Sequence, residues 1–231
     1  MSAKDVYCPI PWMFQAVRNN GDVRICCQAN VTSNQGVVRK SDGTSYNAGR
    51  DNMDEARNGE LMKIVRKNIL EGRWSEECGR CKKEEDAGLQ SRRQYEQEWG
   101  FKLEDAIRIT NEDGTIKTDD TPLVYYDLRF GNLCNLKCRM CGSWGSTHWF
   151  KEDKKLQAIN PQFERHTGDS DPRTIDVDKW RSMEDKLSNM ERIDFKGGEP
   201  MMQDGMYEVL QMLVNNGSAK NVILGLSLIH I

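Results

Sequence analysis

Residues 123–141 read LVYYDLRFGNLCNLKCRMC. The first eight, LVYYDLRF, are rich in aliphatic and aromatic β-formers, the pattern of a buried strand. Gly131 ends the run. The loop behind it carries Cys134, Cys138 and Cys141 as C-x3-C-x2-C. Two questions follow: which sheet the strand joins, and what three thiols hold.

The downstream sequence answers the first. A helix is predicted over roughly 144–158, with Pro161 marking its end. Residues 161–175 read as loop and VDKWRSMEDKLSNM (177–190) as helix. RIDFKGG (192–198) is a strand entering a glycine turn, MYEVLQMLVNN (206–216) a helix capped by Gly217, and NVILGLS (221–227) a strand. Strands alternating with helices predict an α/β fold with a parallel sheet and crossover connections. Upstream, WMFQAVR (12–18) and VRICC (23–27) flank NNGD, and Asn20-Gly21 predicts a hairpin with positive φ at both turn positions. A helix is predicted over 54–71, with Leu61, Ile64, Val65 and Ile69 on one face and Gly72 as its stop. Residues 105–121, DAIRITNEDGTIKTDDT, are polar and aperiodic and read as a linker. The expected domains are therefore 1–104, an α+β cluster-binding domain with a β-hairpin, and 122–231, the α/β part. The ending LSLIHI (226–231) resembles a translated sequencing adapter. It reads as a truncation, with residues from about Leu226 onward foreign.

The second question is one of coordination. Thiolates bind zinc or iron–sulfur clusters. A [4Fe–4S] cube held by three cysteines leaves one iron open to an exogenous ligand, as a catalytic metal keeps a vacant position. The loop sits at the carboxyl end of its strand, where parallel α/β sheets and barrels place ligand sites. The next strand ends in Gly197, Gly198, Glu199 and Pro200. Glycines there allow close approach of backbone to a ligand, and the glutamate can accept from an ammonium group.

CNLKCRMC behind one strand and GGEP behind the next resemble the radical S-adenosylmethionine superfamily. The resemblance implies the first half of a parallel (β/α)6 partial TIM-like barrel over about 123–225. It implies that Cys134, Cys138 and Cys141 hold a [4Fe–4S] cluster. Gly197, Gly198 and Glu199 would contact S-adenosylmethionine, with Pro200 shaping the turn. In that family one electron from the cluster cleaves the sulfonium, giving a 5′-deoxyadenosyl radical that abstracts hydrogen from substrate. Met140 stands where the family often has an aromatic residue.

The chain holds eight cysteines and no apolar leader, so reduced cytosolic thiols are expected. Cys8, the adjacent Cys26 and Cys27, and the pair Cys78-x2-Cys81 form a second group. The hairpin brings Cys26 or Cys27 near Cys8, and the helix 54–71 returns the chain to Cys78 and Cys81. Four thiolates would close a site completely. Neighbouring strand residues face opposite ways, so one of Cys26 and Cys27 ligates; spacing favours Cys26, with Cys27 the alternative. C-x12-G-x4-C followed by C-x2-C is similar to the opening of the SPASM and twitch auxiliary-cluster domains. Ala87 falls where a further SPASM cysteine would stand, which fits the single-cluster twitch form. That resemblance implies a second iron–sulfur cluster, a peptide or protein substrate, and an electron donor such as flavodoxin or ferredoxin.

A net charge of -3 lacks the basic surplus of a nucleic-acid binder, and no segment is apolar enough for a spanning helix. The rival readings are a structural zinc-binding interaction protein and an iron–sulfur electron-transfer protein. His148 and His166 read as surface residues, and His230 lies in the suspect tail. Trp144 and Trp149 read as packing residues, Ser143 and Ser146 as helix caps, and Glu84, Glu85 and Asp86 as a solvated helix face.

Overall fold

Aromatic side chains concentrate where the first strands were predicted, and they organise the fold around them. The structure, a computed structural model, describes residues 2–121, 123–161 and 184–227. His166, the loop beyond Pro161, the first half of the helix predicted at 177–190, and the tail from 228 with His230 lie outside the described residues; within the second half, Glu184–Leu187 is helical. Two compact units are distinguished. The first comprises Met1–Ala16, Val23–Tyr46 and Asp51–Tyr126, the second Val17–Asp22, Asn47–Arg50 and Asp127–Ile231.

The chain forms a mixed α/β fold with a five-stranded, mostly parallel sheet. Its strands are β1 (Phe14–Val17), β2 (Val23–Arg24), β3 (Tyr125–Arg129), β4 (Arg192–Lys196) and β5 (Ile223–Leu226), in the order β2-β1-β3-β4-β5. β4 and β5 pair in parallel, Arg192 opposite Ile223 and Phe195 opposite Leu226. Among the described residues no helix is long and apolar enough to cross a membrane.

In the first unit, Phe14, Trp99 and Tyr125 pack edge to face, with ring centroids 4.9 Å (Phe14–Tyr125) and 5.1 Å (Trp99–Tyr125) apart. Trp12 is fully buried and donates from Nε1 to Thr110 Oγ1 at 2.8 Å. The helix predicted at 54–71 is two helices, Met53–Ala56 and Glu60–Leu70, stopped as expected by Gly72 at φ 72°. Its buried face is Met62, Val65, Arg66 and Ile69, while Ile64 is exposed. The shift from the predicted face has one cause: Arg66 is buried. Its guanidinium donates to the carbonyls of Pro11 (3.0 Å), Gly114 (3.0 Å) and Arg57, and to Asn58 Oδ1. Arg57 likewise donates to the carbonyls of Trp12 (3.0 Å) and Thr121 (2.8 Å).

Residues 105–121 differ from the expected linker. They carry the end of a helix, Leu103–Ile109, and a turn closed by a bridge between Thr110 and Ile116. Ala106 and Ile116 are buried, and the whole stretch belongs to the first unit. Its polarity reflects turn chemistry, with Asp113 Oδ1 accepting from Thr115 N and Oγ1. Glu85 also departs from a solvated face: it accepts from the buried Arg93 at 2.7 Å and from Ser91 Oγ at 2.5 Å.

In the second unit, β4 alternates. Ile193 and Phe195 are buried apolar residues, while Asp194 and Lys196 occupy the other face. Lys196 Nζ bridges Asp127 of β3 at 2.8 Å and Asp194 at 3.1 Å. The helix Asp204–Asn215 buries Met206, Val209, Met212 and Leu213, a helical stripe as predicted. The hairpin turn at Arg18–Asp22 places only Gly21 at positive φ (88°), not Asn20. Gly21 N donates to Arg18 O at 2.8 Å and Arg18 N to Asp22 O at 2.9 Å, a type I turn followed by a left-handed glycine.

Candidate metal centres

The cysteine loop of the second unit is built on backbone bonds that fold it back on itself. Cys141 N donates to Cys138 O at 3.0 Å, and Leu136 N to Cys134 Sγ at 3.4 Å. Asn132 Nδ2 donates to Ser143 O at 3.0 Å, and Thr147 N to Asn132 O at 3.1 Å. Trp149 Nε1 donates to Cys138 O at 3.0 Å, so this tryptophan clasps the loop as well as packing. Ser146 caps the short helix after the loop, accepting from His148 N at 3.3 Å. Ser143 does not cap; its N–H donates to the buried Asp153 carboxylate at 2.9 Å. Lys137 is committed to Glu152 and lies over the Trp149 ring, 5.0 Å from its centre. Cys134 is buried and Cys138 and Cys141 partly exposed. Burial raises the Cys141 thiol pKa, and the Cys138 and Cys134 thiols beside it raise it further. Met140 is 84% exposed.

The Gly-Gly-Glu-Pro turn lies against this loop. Glu199 N donates to Leu133 O at 2.8 Å, one residue before the first cysteine. Gly197 and Gly198 both take positive φ, 77° and 53°. A Cβ on Gly198 would stand 2.3 Å from Leu133 O, and one on Gly197 2.4 Å from Asn19 Oδ1. Glycine is thus required at both positions by conformation and by contact. Glu199 is buried and caps the short helix Pro200–Met202, accepting from Met201 N at 3.3 Å. Around the turn, two buried side-chain oxygens lack a hydrogen-bond partner, Asn19 Oδ1 and Gln203 Oε1, while Arg129 Nε faces Asp127 Oδ1 at 3.5 Å as an ion pair. Buried polar groups are nearly always paired, so atoms left over at one place mark a site for a polar ligand or water.

In the first unit, Cys8, Cys26, Cys78 and Cys81 line one cavity, together with Ile10, Val65, Ile69, Trp74 and Arg93. The four were grouped from spacing, and the fold brings them together; Cys27 is not among the lining residues. Burial raises the Cys8 thiol well above 9, aided by Cys78 and Cys81. Cys26 is raised by its hydrogen bond to Cys27 and by burial. Burial and the neighbouring Cys81 push Cys78 up to about 12. Arg93 donates to Tyr7 O at 2.9 Å and to Glu85, and stacks 5.0 Å over Trp74. Among the described residues, no three His, Cys, Asp or Glu side chains are disposed to hold a single metal ion as they stand.

Comparison with protein-family models, curated proteins and solved structures finds no match for the chain. Sequence reading missed Asn19, Gln203 and Arg129 at the turn and Arg93 at the cavity. Asn19 left one signal, its place in an Asn-Asn-Gly turn, but nothing in that turn names its distant partner.

Proposed function

We propose that the chain is part of a radical S-adenosylmethionine enzyme, its α/β region the first half of a (β/α)6 partial barrel. The observation that carries this is the backbone bond from Glu199 to Leu133, which seats the Gly-Gly-Glu-Pro turn against the three-cysteine loop. Cys134, Cys138 and Cys141 would hold a [4Fe–4S] cluster with one iron left without a protein ligand. Gly197, Gly198, Glu199 and Pro200 would form the shelf for the methionine end of S-adenosylmethionine. The donor set fits: three thiols for the cluster, and unpaired buried acceptors beside a glycine cradle for an ammonium-bearing ligand. When bound, the two cofactors together supply a 5′-deoxyadenosyl radical able to abstract hydrogen from a substrate. This chain's own residues bind and orient. Trp149 and Asn132 fix the loop, Glu199 and Gln203 fix the turn to it, and the two glycines let the turn pack against Asn19 and Leu133.

Cys8, Cys26, Cys78 and Cys81 would hold an auxiliary iron–sulfur cluster, closed by four thiolates. The substrate class that fits this pairing by analogy is a peptide or protein, with flavodoxin or ferredoxin as electron donor. Anaerobic reconstitution of the chain with iron and sulfide tests the reading. Iron–sulfur absorbance and S-adenosylmethionine binding that disappears in Cys138→Ala are expected. Stoichiometric zinc without iron–sulfur absorbance would overturn it in favour of a structural zinc protein.

A further inference from the structure

Two carboxamides border the Gly-Gly pair, and both are held in the same sense. Asn19, from the turn Arg18–Asp22, donates from Nδ2 to Trp144 O at 2.5 Å. Gln203, which follows the short helix Pro200–Met202, donates from Nε2 to Leu133 O at 2.9 Å. Carbonyl oxygens only accept, so these bonds fix which end of each amide is the nitrogen. Each NH2 is thereby pinned to the segment bearing the cysteine loop. Each oxygen is left over: Asn19 Oδ1 and Gln203 Oε1 have no hydrogen-bond partner, in side chains only 7% and 1% exposed. Asn19 Oδ1 lies 2.4 Å from where a Cβ of Gly197 would be, and Gln203 Nε2 3.0 Å from where one of Gly198 would be. One amide thus borders each glycine.

We propose that Asn19 and Gln203 are ligand-contacting residues, their side-chain oxygens accepting hydrogen bonds from the ammonium group of an α-amino-acid ligand on the Gly197–Gly198 turn. The proposal rests on the reading of that turn as the S-adenosylmethionine shelf. The chemistry selects the ammonium. Asn19 Oδ1 and Gln203 Oε1 are acceptors without donors, and the Glu199 carboxylate on the same turn is an acceptor by nature. A primary ammonium is the small group with three donors and no acceptor, and its charge strengthens each bond.

Calorimetric titration of the cluster-loaded chain with S-adenosylmethionine, and with its analogue lacking the amino group, tests this. Asn19→Ala and Gln203→Ala should each weaken S-adenosylmethionine binding about tenfold and leave the deamino analogue within about twofold. Equal losses for both ligands would mean that the amides only brace the loop, or hold a bridging water only, and would overturn the proposal. Should the alanine variants fail to load iron, Asn19→Asp and Gln203→Glu take their place. These keep an oxygen and lose the NH2, and should retain the preference for the amine; loss of that preference overturns the proposal. Absence of S-adenosylmethionine binding to the loaded parent chain overturns the reading of the site and this inference together. Binding without coupling to the amine overturns this inference alone.

Discussion

The two cysteine groups differ in what surrounds their sulfurs. In the first unit four thiols line one apolar cavity, with Cys81 buried and the others half-buried. In the second, three thiols sit on a loop that polar backbone bonds fold onto a glycine turn, with two of the three partly exposed. On the proposed reading the first arrangement would fill a coordination shell from the protein alone, as structural sites do, and the second would leave a position for an exogenous ligand beside the glycine turn. The two sites should therefore fail differently when a cysteine is removed. Cys138→Ala should abolish S-adenosylmethionine binding, and iron should fall from about eight to about four atoms per chain if both sites carry cubane clusters. Cys8→Ala should lower iron by a similar amount and leave S-adenosylmethionine binding intact. Equal effects of the two on binding would erase the distinction.

The scaffolds differ as well. The cavity draws Val65 and Ile69 from the helix Glu60–Leu70, and Arg66 anchors that helix from the same buried face. Arg66→Met would leave the Pro11 and Gly114 carbonyls buried without their donor, a loss of about 3 kcal/mol. Urea denaturation should show it, with iron loading of the first site reduced and S-adenosylmethionine binding retained. The counterpart in the second unit is Gly198→Ala. Its methyl would meet Leu133 O and demand a left-handed alanine, costing about 2 kcal/mol. The shelf should be spoiled, with S-adenosylmethionine affinity down about tenfold and the first site's iron unchanged.

The thiols themselves give a smaller contrast. Folding holds Cys8, Cys26 and Cys78 protonated, their pKa values raised above the ordinary 9.0 by burial and, for Cys26, first by its bond to Cys27. A raised folded pKa contributes stability that is whole below 9 and declines as pH rises toward the folded values, about 12 for Cys78. With three thiols near half-ionised in the unfolded chain, the metal-free protein should be about 1 kcal/mol less stable at pH 9 than at pH 7. Denaturation midpoints of the parent and of Cys8→Ser at the two pH values would check this. A parent midpoint that does not fall at pH 9 would refute it.

What was legible in the sequence was what local chemistry dictates. The strand at 125–129, the glycine turn at 197–198 and the three-cysteine loop at 134–141 each carry their cause within a few residues. What was not legible depends on carbonyls, which every residue has. Arg66 was not placed on the buried face because its acceptors, the backbones of Pro11, Arg57 and Gly114, leave no trace in side-chain identity. Asn19 and Gln203 are hidden for the same reason, each bound to a carbonyl remote in sequence. The polar run at 105–121 was read as a linker because its turn residues outnumber its two buried apolar ones, Ala106 and Ile116.

One ambiguity in the sequence narrows in the fold. Cys26 and Cys27 are adjacent, and the expected strand through them ends at Arg24, so both lie in the turn beyond β2, where strand alternation does not choose between them. Cys26 lines the cavity with Cys8, Cys78 and Cys81, whereas Cys27 does not. Cys27 is close enough to hydrogen-bond the Cys26 thiol. On the proposed reading its part would be beside the ligand set, adjusting the Cys26 sulfur rather than replacing it. Cys27→Ser keeps a hydrogen-bonding group of similar size. It should leave iron content within error of the parent and shift the first site's reduction potential only slightly, whereas Cys26→Ser should remove that site's iron. If the two serine variants exchange behaviour, the helix and hairpin must present the opposite face of residues 26 and 27 to the cavity, and the closed four-thiol site would have to be rebuilt around Cys27.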